Sequence, residues 1–368
     1  MTGPRYPDLI ARLPETVPFV GPEVQERARG ARFDARLGAN ENVFGPSPRA
    51  IEAMRAEAAE IWKYADSASH DLRHALAEEN GCRPENIIVG EGIDGLLGYL
   101  TRLLVEEGDA VLTSDGAYPT FNYHVAGFGG VLTKLPYRED HEDLHGLLAA
   151  AQDLHPKLIY FANPDNPMAT WVSGDVIEAA LDKIPDGSVL ILDEAYIEFA
   201  PEGTAPRIDP EDPRVIRFRT FSKAYGMAGA RVGYGIAAAP LIRAFDKIRN
   251  HFGMNRAAQA GALAALKDKD WLNQTLAQVS AAKEQIAQIC RAQGLTPLPS
   301  ATNFVTVECG QDGDFARRLV SELVARGIFV RMPFVAPQDR CIRISAGTAD
   351  EIAAFEAALP KALAAARG

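Results

Sequence analysis

Arg219-Thr220-Phe221-Ser222-Lys223-Ala224-Tyr225-Gly226-Met227-Ala228-Gly229-Ala230-Arg231-Val232-Gly233 sets one lysine after two hydroxyl side chains and before a run of glycines, and closes on an arginine. Before it stands the β-branched run Val215-Ile216-Arg217-Phe218, and after it Val232-Gly233-Tyr234-Gly235-Ile236. The spacing predicts a strand, a small-residue loop and a second strand. A lysine held between two buried strands is costly unless it has a partner or a task. Burial lowers its pKa and leaves more of the neutral amine, which condenses with aldehydes. The hydroxyls of Thr220 and Ser222 and the guanidinium of Arg231 suit a phosphate dianion beside that aldehyde.

Outward from this stretch the same alternation recurs. From Asp71 onward, helical segments (Leu72 to Glu79, Leu96 to Val105) separate short apolar runs at Ile87-Ile88-Val89, Ala110 to Thr113, Val131 to Leu135, Leu158 to Phe161 and Val189 to Leu192. Such a pattern predicts an α/β fold: a mostly parallel sheet sandwiched by helices, with ligands at the strand ends. The Gly/Pro/Asn cluster around Leu37 to Pro48 is turn chemistry, so residues 1–40 read as an N-terminal arm belonging to the small domain, with a helix following from about Pro48 to Ile61. Residues 41–274 form the expected large domain. One long helical region from Asn255 to about Gln293 leads into a small C-terminal α/β domain, 275–368, with a helix from Phe315 to Ala325 and a last helix opened by the capping box Thr348-Ala349-Asp350-Glu351.

The chain has 368 residues, room for about two domains. Its formal net charge of -11 leaves no basic block for nucleic acid or an anionic membrane, so any anion must be held locally. Cys82, Cys290, Cys309 and Cys341 are widely spaced, with no C-x-x-C pair, and read as free thiols. The start has no charged-then-apolar leader, and no apolar run would span a bilayer. The expectation is a soluble cytoplasmic protein.

Two motifs compete with the lysine. Gly90-Glu91-Gly92-Ile93-Asp94-Gly95 matches G-x-G-x-x-G, follows a predicted strand and opens a helix, as an NAD-dependent dehydrogenase would require. The same backbone amides at a helix N-terminus would hold the phosphate of a smaller cofactor equally well. His141-Glu142-Asp143-Leu144-His145 matches H-E-x-x-H, but no third ligand stands nearby, and we read it as the solvated first turn of a helix without a metal.

Three further clusters stand at predicted strand ends: Asn163-Pro164-Asp165-Asn166-Pro167, Asp193-Glu194-Ala195-Tyr196, and Lys223 itself. In this order, with Arg231 eight residues after Lys223, the chain resembles the fold-type I pyridoxal-phosphate enzymes of the aspartate-aminotransferase-like fold, and most closely the histidinol-phosphate aminotransferases. The resemblance runs from Asn40-Glu41-Asn42 to Arg343. It implies that Lys223 carries the cofactor and acts as the proton-transfer group, that Asp193 pairs with the pyridine nitrogen, and that Asn166 and Tyr196 bond the ring's phenolic oxygen. Tyr118 would stack on the ring. The backbone at Ile93 and Asp94, with Thr220, Ser222 and Arg231, would hold the phosphate. Tyr64, in Trp62-Lys63-Tyr64-Ala65-Asp66, would reach that phosphate from the partner subunit of a homodimer. Arg343 would grip the substrate carboxylate, and Arg331, Asn40 and Phe44 would face the substrate.

The departures concern the substrate. Met168-Ala169 stands where relatives commonly carry Thr-Gly, and Val43-Phe44 where they often have Pro-Tyr, which removes one hydroxyl from the substrate's reach. Histidinol phosphate with 2-oxoglutarate is the expected pair. An aromatic amino acid such as phenylalanine, walled by Phe44 and Phe334, or a phosphorylated amino acid decarboxylated on the same cofactor, stays open.

Overall fold

The computed structural model describes residues 3–15 and 20–368; of the N-terminal arm, residues 1, 2 and 16–19 lie outside the described residues. A two-residue strand β1 (Ala35–Arg36) comes first. Next come β2 (Ile87–Gly90), β3 (Ala110–Ser114), β4 (Val131–Leu135), β5 (Leu158–Ala162), β6 (Val189–Asp193), β7 (Val215–Thr220) and β8 (Gly233–Ile236). These seven form one sheet in the order β2-β8-β7-β6-β5-β3-β4, in which only β8 runs antiparallel to its neighbours.

Both sheet faces are covered because alternate side chains are apolar on each side. Along β5, Leu158, Tyr160 and Ala162 enter a core with the helix Gly92–Leu104, whereas Ile159 and Phe161 enter another with the helices Leu144–Leu154 and Gly174–Ala180. Parallel strands then end together on one side. Ala162 is in register with Asp193, and Asp193 with Phe218, which lines up the residues that follow β5, β6 and β7.

The C-terminal part forms a second sheet, β12 (Cys341–Ser345), β10 (Phe304–Glu308) and β9 (Thr296–Pro297), while β11 (Ile328–Phe329) pairs in parallel with β1. Its core joins Ala35 and Leu37 from the N-terminal stretch to residues between Val279 and Ala366. The last helix, Ala349–Arg367, starts with the expected capping box: Thr348 Oγ1 accepts from Glu351 N, and Glu351 accepts from Thr348 N.

Two expectations are corrected. The single helical region from Asn255 is two helices, Arg256–Lys267 and Lys269–Ala292. Asp268 breaks it with a non-helical ψ of 69°, and aspartate is among the weaker helix formers. Nor does His141-Glu142-Asp143-Leu144-His145 open a helix at its first residue. His141 pairs with Arg138 in a short antiparallel bridge, Asp143 is the N-cap, and the helix begins at Leu144. The two histidines therefore do not share a helical face, and the described residues hold no metal-binding cluster of His, Cys, Asp and Glu.

Candidate active site

A cavity of about 330 Å³ opens at the aligned ends of β5, β6 and β7, where they meet the small sheet and the N-terminal stretch. Ile93, Asp94, Tyr118, Asn166, Asp193, Tyr196, Thr220, Ser222, Lys223, Arg231, Arg331, Arg343 and Asn40 all line it. Residues far apart in sequence thus converge on one cavity.

Lys223 stands just past the end of β7. Its Nζ donates to the Asn40 carbonyl at 3.1 Å and lies 5.6 Å from the centre of the Tyr196 ring. Burial and then the nearby Arg343 lower its pKa to about 8, so a usable fraction is neutral amine near pH 7. Asp193 ends β6 and is 5% exposed. It accepts from Tyr160 Oη at 2.6 Å and from Ala195 N at 3.0 Å, yet burial still raises its carboxyl to about 6. A cation placed against it would restore the charged form.

Opposite lies a cradle for an anion. The helix Gly92–Leu104 presents its N-terminus, and Thr220, Ser222 and Arg231 surround it: Arg231 Nη1 donates to Ser222 Oγ at 3.3 Å, and Thr220 Oγ1 to Ser222 Oγ at 3.0 Å. A Cβ at Gly92, whose φ is +81°, would stand 2.5 Å from Arg231 Nη2, and one at Gly233 would stand 2.8 Å from the Ile93 nitrogen. Both glycines are required because backbone, hydroxyls and guanidinium crowd round one small space. Amide dipoles with a guanidinium fit a phosphate dianion.

At the other end stand two arginines. Arg331 and Arg343 are directly opposite in an antiparallel bridge, with backbone bonds of 3.2 and 2.6 Å, which sets both side chains on one face. Buried Arg343 spends its bonds on neutral oxygens, Asn166 Oδ1 and Gly38 O, and its Nε has no partner; burial lowers its pKa to about 10. Arg331 donates to Val20 O at 2.7 Å and packs over the Phe329 ring. Two like charges side by side favour an anionic ligand.

Asn40, held at φ +55°, ties the two ends together. Its Nδ2 donates to Tyr196 Oη at 2.9 Å, and its Oδ1 and backbone N both meet Ser345 Oγ at 3.1 Å. Sequence reasoning missed Tyr160 and Asn303. Tyr160 read as one more residue of a core strand, although a tyrosine among buried aliphatics needs a partner for its hydroxyl. Asn303, whose Nδ2 donates to Asn40 O at 3.0 Å, gave no signal beyond its place before a strand. Two expected substrate walls are corrected: Phe44 packs against the small-sheet core instead of lining the cavity, its backbone fixed by Asn42 Oδ1, and Phe334 is 68% exposed. Tyr64 is 80% exposed and rests on Phe252, outside this chain's own cavity.

The model of the family described as aminotransferase class I and II matches residues 35–359. The chain belongs to this aminotransferase family. This aminotransferase is 32% identical over 352 residues to histidinol-phosphate aminotransferase 2 of Carboxydothermus hydrogenoformans, covering 94% of this chain and 96% of that one. It superposes with a TM-score of 0.95, at 50% identity and over 99% and 98% of the two chains, on the crystal structure of histidinol-phosphate aminotransferase from Sinorhizobium meliloti in complex with pyridoxal-5'-phosphate. A Thermus thermophilus aspartate aminotransferase double mutant shares the fold, with a TM-score of 0.78 at 22% identity and full coverage of both chains. The dehydrogenase reading of Gly90 to Gly95 is overturned. β2 sits at the sheet edge against antiparallel β8, so β2, its helix and β3 do not make the adjacent parallel pair that a dinucleotide site needs.

Proposed function

We propose that this aminotransferase works with pyridoxal phosphate and moves an amino group from histidinol phosphate to 2-oxoglutarate. The observation that carries the reading is the buried pair on either side of one cavity: a lysine lowered to about 8 and a carboxyl raised to about 6, with an anion cradle next to them.

The residues present fit the cofactor in size and in chemistry. Lys223 would bind its aldehyde carbon and Asp193 its ring nitrogen. Tyr118 would lie against the ring, and Asn166 and Tyr196 would bond its phenolic oxygen. The amides of Ile93 and Asp94, with Thr220, Ser222 and Arg231, would take the phosphate, joined by Tyr64 of a second copy in a homodimer. Bound there, the cofactor supplies an electron-accepting ring. The chain does the rest. Lys223 Nζ would take the proton from the substrate's Cα and pass it on, and Asp193 would keep a proton on the ring nitrogen. Arg343 would fix the α-carboxylate of 2-oxoglutarate or glutamate so that the C–H bond breaks, and Arg331, beside it, would meet the phosphate that histidinol phosphate carries on the carbon replacing that carboxyl.

The test has two parts. Borohydride reduction of the yellow holoenzyme should leave the cofactor covalently on the peptide containing Lys223. A comparison of kcat/KM for histidinol phosphate, phenylalanine, tyrosine and histidine, in wild type and Arg331→Ala, should show a loss of about tenfold or more confined to the phosphorylated donor. Equal losses with all four donors, or stoichiometric release of carbon dioxide, would overturn the assignment.

A further inference from the structure

Glu142, the middle of the unused H-E-x-x-H pattern, is 5% exposed and Asp165 is 1% exposed. Both line one small void of about 10 Å³ behind the active-site loop 163–170. Their outer contacts are complete. Glu142 Oε1 accepts from Ala162 N at 3.2 Å and Oε2 from Ser114 Oγ at 2.7 Å; Asp165 Oδ1 accepts from Tyr137 Oη at 2.8 Å and Oδ2 from Met168 N at 2.9 Å. The two carboxyl groups border this same void, and the Asp165 charge helps to raise the Glu142 pKa. Two buried carboxylates beside one void repel each other when both are ionised, which favours one of them holding a proton.

The residue after Asp165 is Asn166, whose Oδ1 accepts from Arg343. A second route leads to the same strand: Asp140, two residues before Glu142, binds Arg340 Nη2 at 2.7 Å, and Arg340 lies three residues before Arg343. We propose that Glu142 and Asp165 are positioning residues, an acid–carboxylate pair whose shared proton fixes the loop that presents Asn166 to Arg343 and so sets Arg343 for the substrate's α-carboxylate. The proposal rests on the reading of Arg343 as the carboxylate grip.

Burial makes Glu142 the proton holder: it is driven well above the usual carboxylate range, while Asp165, also raised, is brought back to about 6 by its hydrogen bonds. The charged or titratable groups facing the pair are Tyr137 and Asp115, Tyr160, His141 beside Glu142, and Tyr196 and Arg343 across the loop. Removing the shared proton would put two charges together and push Asn166 away from Arg343.

Histidinol phosphate carries a phosphorylated hydroxymethyl group where glutamate carries its α-carboxylate, so Arg343 faces an anion in both half-reactions, and a split between KM and kcat separates this role from a general one. In the holoenzyme, Glu142→Leu should raise KM for glutamate by about tenfold, with little change in kcat. Glu142→Gln, a neutral donor of similar shape, should restore the glutamate KM. A fall in kcat as large as the rise in KM, an unchanged glutamate KM in Glu142→Leu, or a raised KM that Glu142→Gln fails to restore would each overturn the proposal. Arg343→Lys is measured alongside: if it leaves the glutamate KM unchanged, the grip reading fails rather than the positioning.

Discussion

Tyr160 reaches from β5 to Asp193 on the adjacent strand and donates a hydrogen bond of 2.6 Å to its Oδ2. Even with this bond and that from Ala195 N, burial holds the Asp193 carboxyl at about 6, above its ordinary 3.8. The folded chain without cofactor therefore binds this proton more tightly than the unfolded chain. Stability from this group is full below about pH 4 and is lost as pH rises to about 6. Asp193→Asn removes the titration, so the cofactor-free variant should be more stable than wild type at pH 7 by up to about 3 kcal/mol, with the gap closing near pH 4. Urea unfolding at the two pH values checks it. The variant should lose activity, a trade between stability and function.

Lys223 shifts the opposite way, lowered to about 8 first by burial and then by Arg343. Only the neutral amine captures an aldehyde. The rate at which cofactor-free protein takes up pyridoxal phosphate should therefore rise through a midpoint near pH 8. Arg343→Gln removes the second cause, and the midpoint should move to higher pH. A midpoint that stays in place would show that the Arg343 charge does not reach the amine.

How much of this was legible depends on what each signal encodes. β4 was placed at its observed limits, Val131–Leu135, because its run is sharply bounded by Gly130 and Pro136, and Asp193 and Lys223 stood out as polar groups ending or leaving apolar runs. The break at Asp268 was hidden because the Ala, Leu and Lys pattern keeps the same period on both sides. Tyr160 and Asn303 were hidden too, since a buried side chain's partner on another segment leaves no mark on its own periodicity. The Arg331–Arg343 pairing is of the same kind: each residue was noticed alone, and only the bridge puts them side by side. Ala169 shows what substitution patterns conceal, for it holds φ +65° while fully buried against Tyr196 and Phe304.

Glu194 and Glu198 lie close together behind Lys223, and the same change should affect them differently. Glu194 is fully buried and accepts from Arg217 Nη2 at 2.9 Å and Arg219 Nε at 2.7 Å. Glu194→Gln would strand two mostly buried guanidinium groups and should cost about 3 to 5 kcal/mol. Glu198 has no partner for Oε2, and burial lifts its pKa to about 7. Already half neutral at pH 7, it should lose less than about 1 kcal/mol in Glu198→Gln. Denaturant midpoints of the two variants decide this; similar losses would refute the distinction.

Tyr64 tests whether two copies share a site. Ile61, Trp62 and Tyr64 are 69, 77 and 80% exposed, with Phe252 against Tyr64 at 4.9 Å, an apolar patch unusual for a surface facing water. If Tyr64 bonds the cofactor phosphate of the other copy, Tyr64→Phe should weaken cofactor affinity by about tenfold. Lys223→Ala should be inactive. Each variant alone then lacks a complete site. In a mixed dimer, the Lys223 of the Tyr64→Phe subunit faces the Tyr64 of the Lys223→Ala subunit, so one site in two is native. Refolding the two variants together should restore tight cofactor binding and activity in up to a quarter of all sites, since half of the dimers formed at random are mixed and each has one native site. If Tyr64 acts within its own chain, or only on the surface, mixing restores nothing beyond the activity of the Tyr64→Phe protein alone.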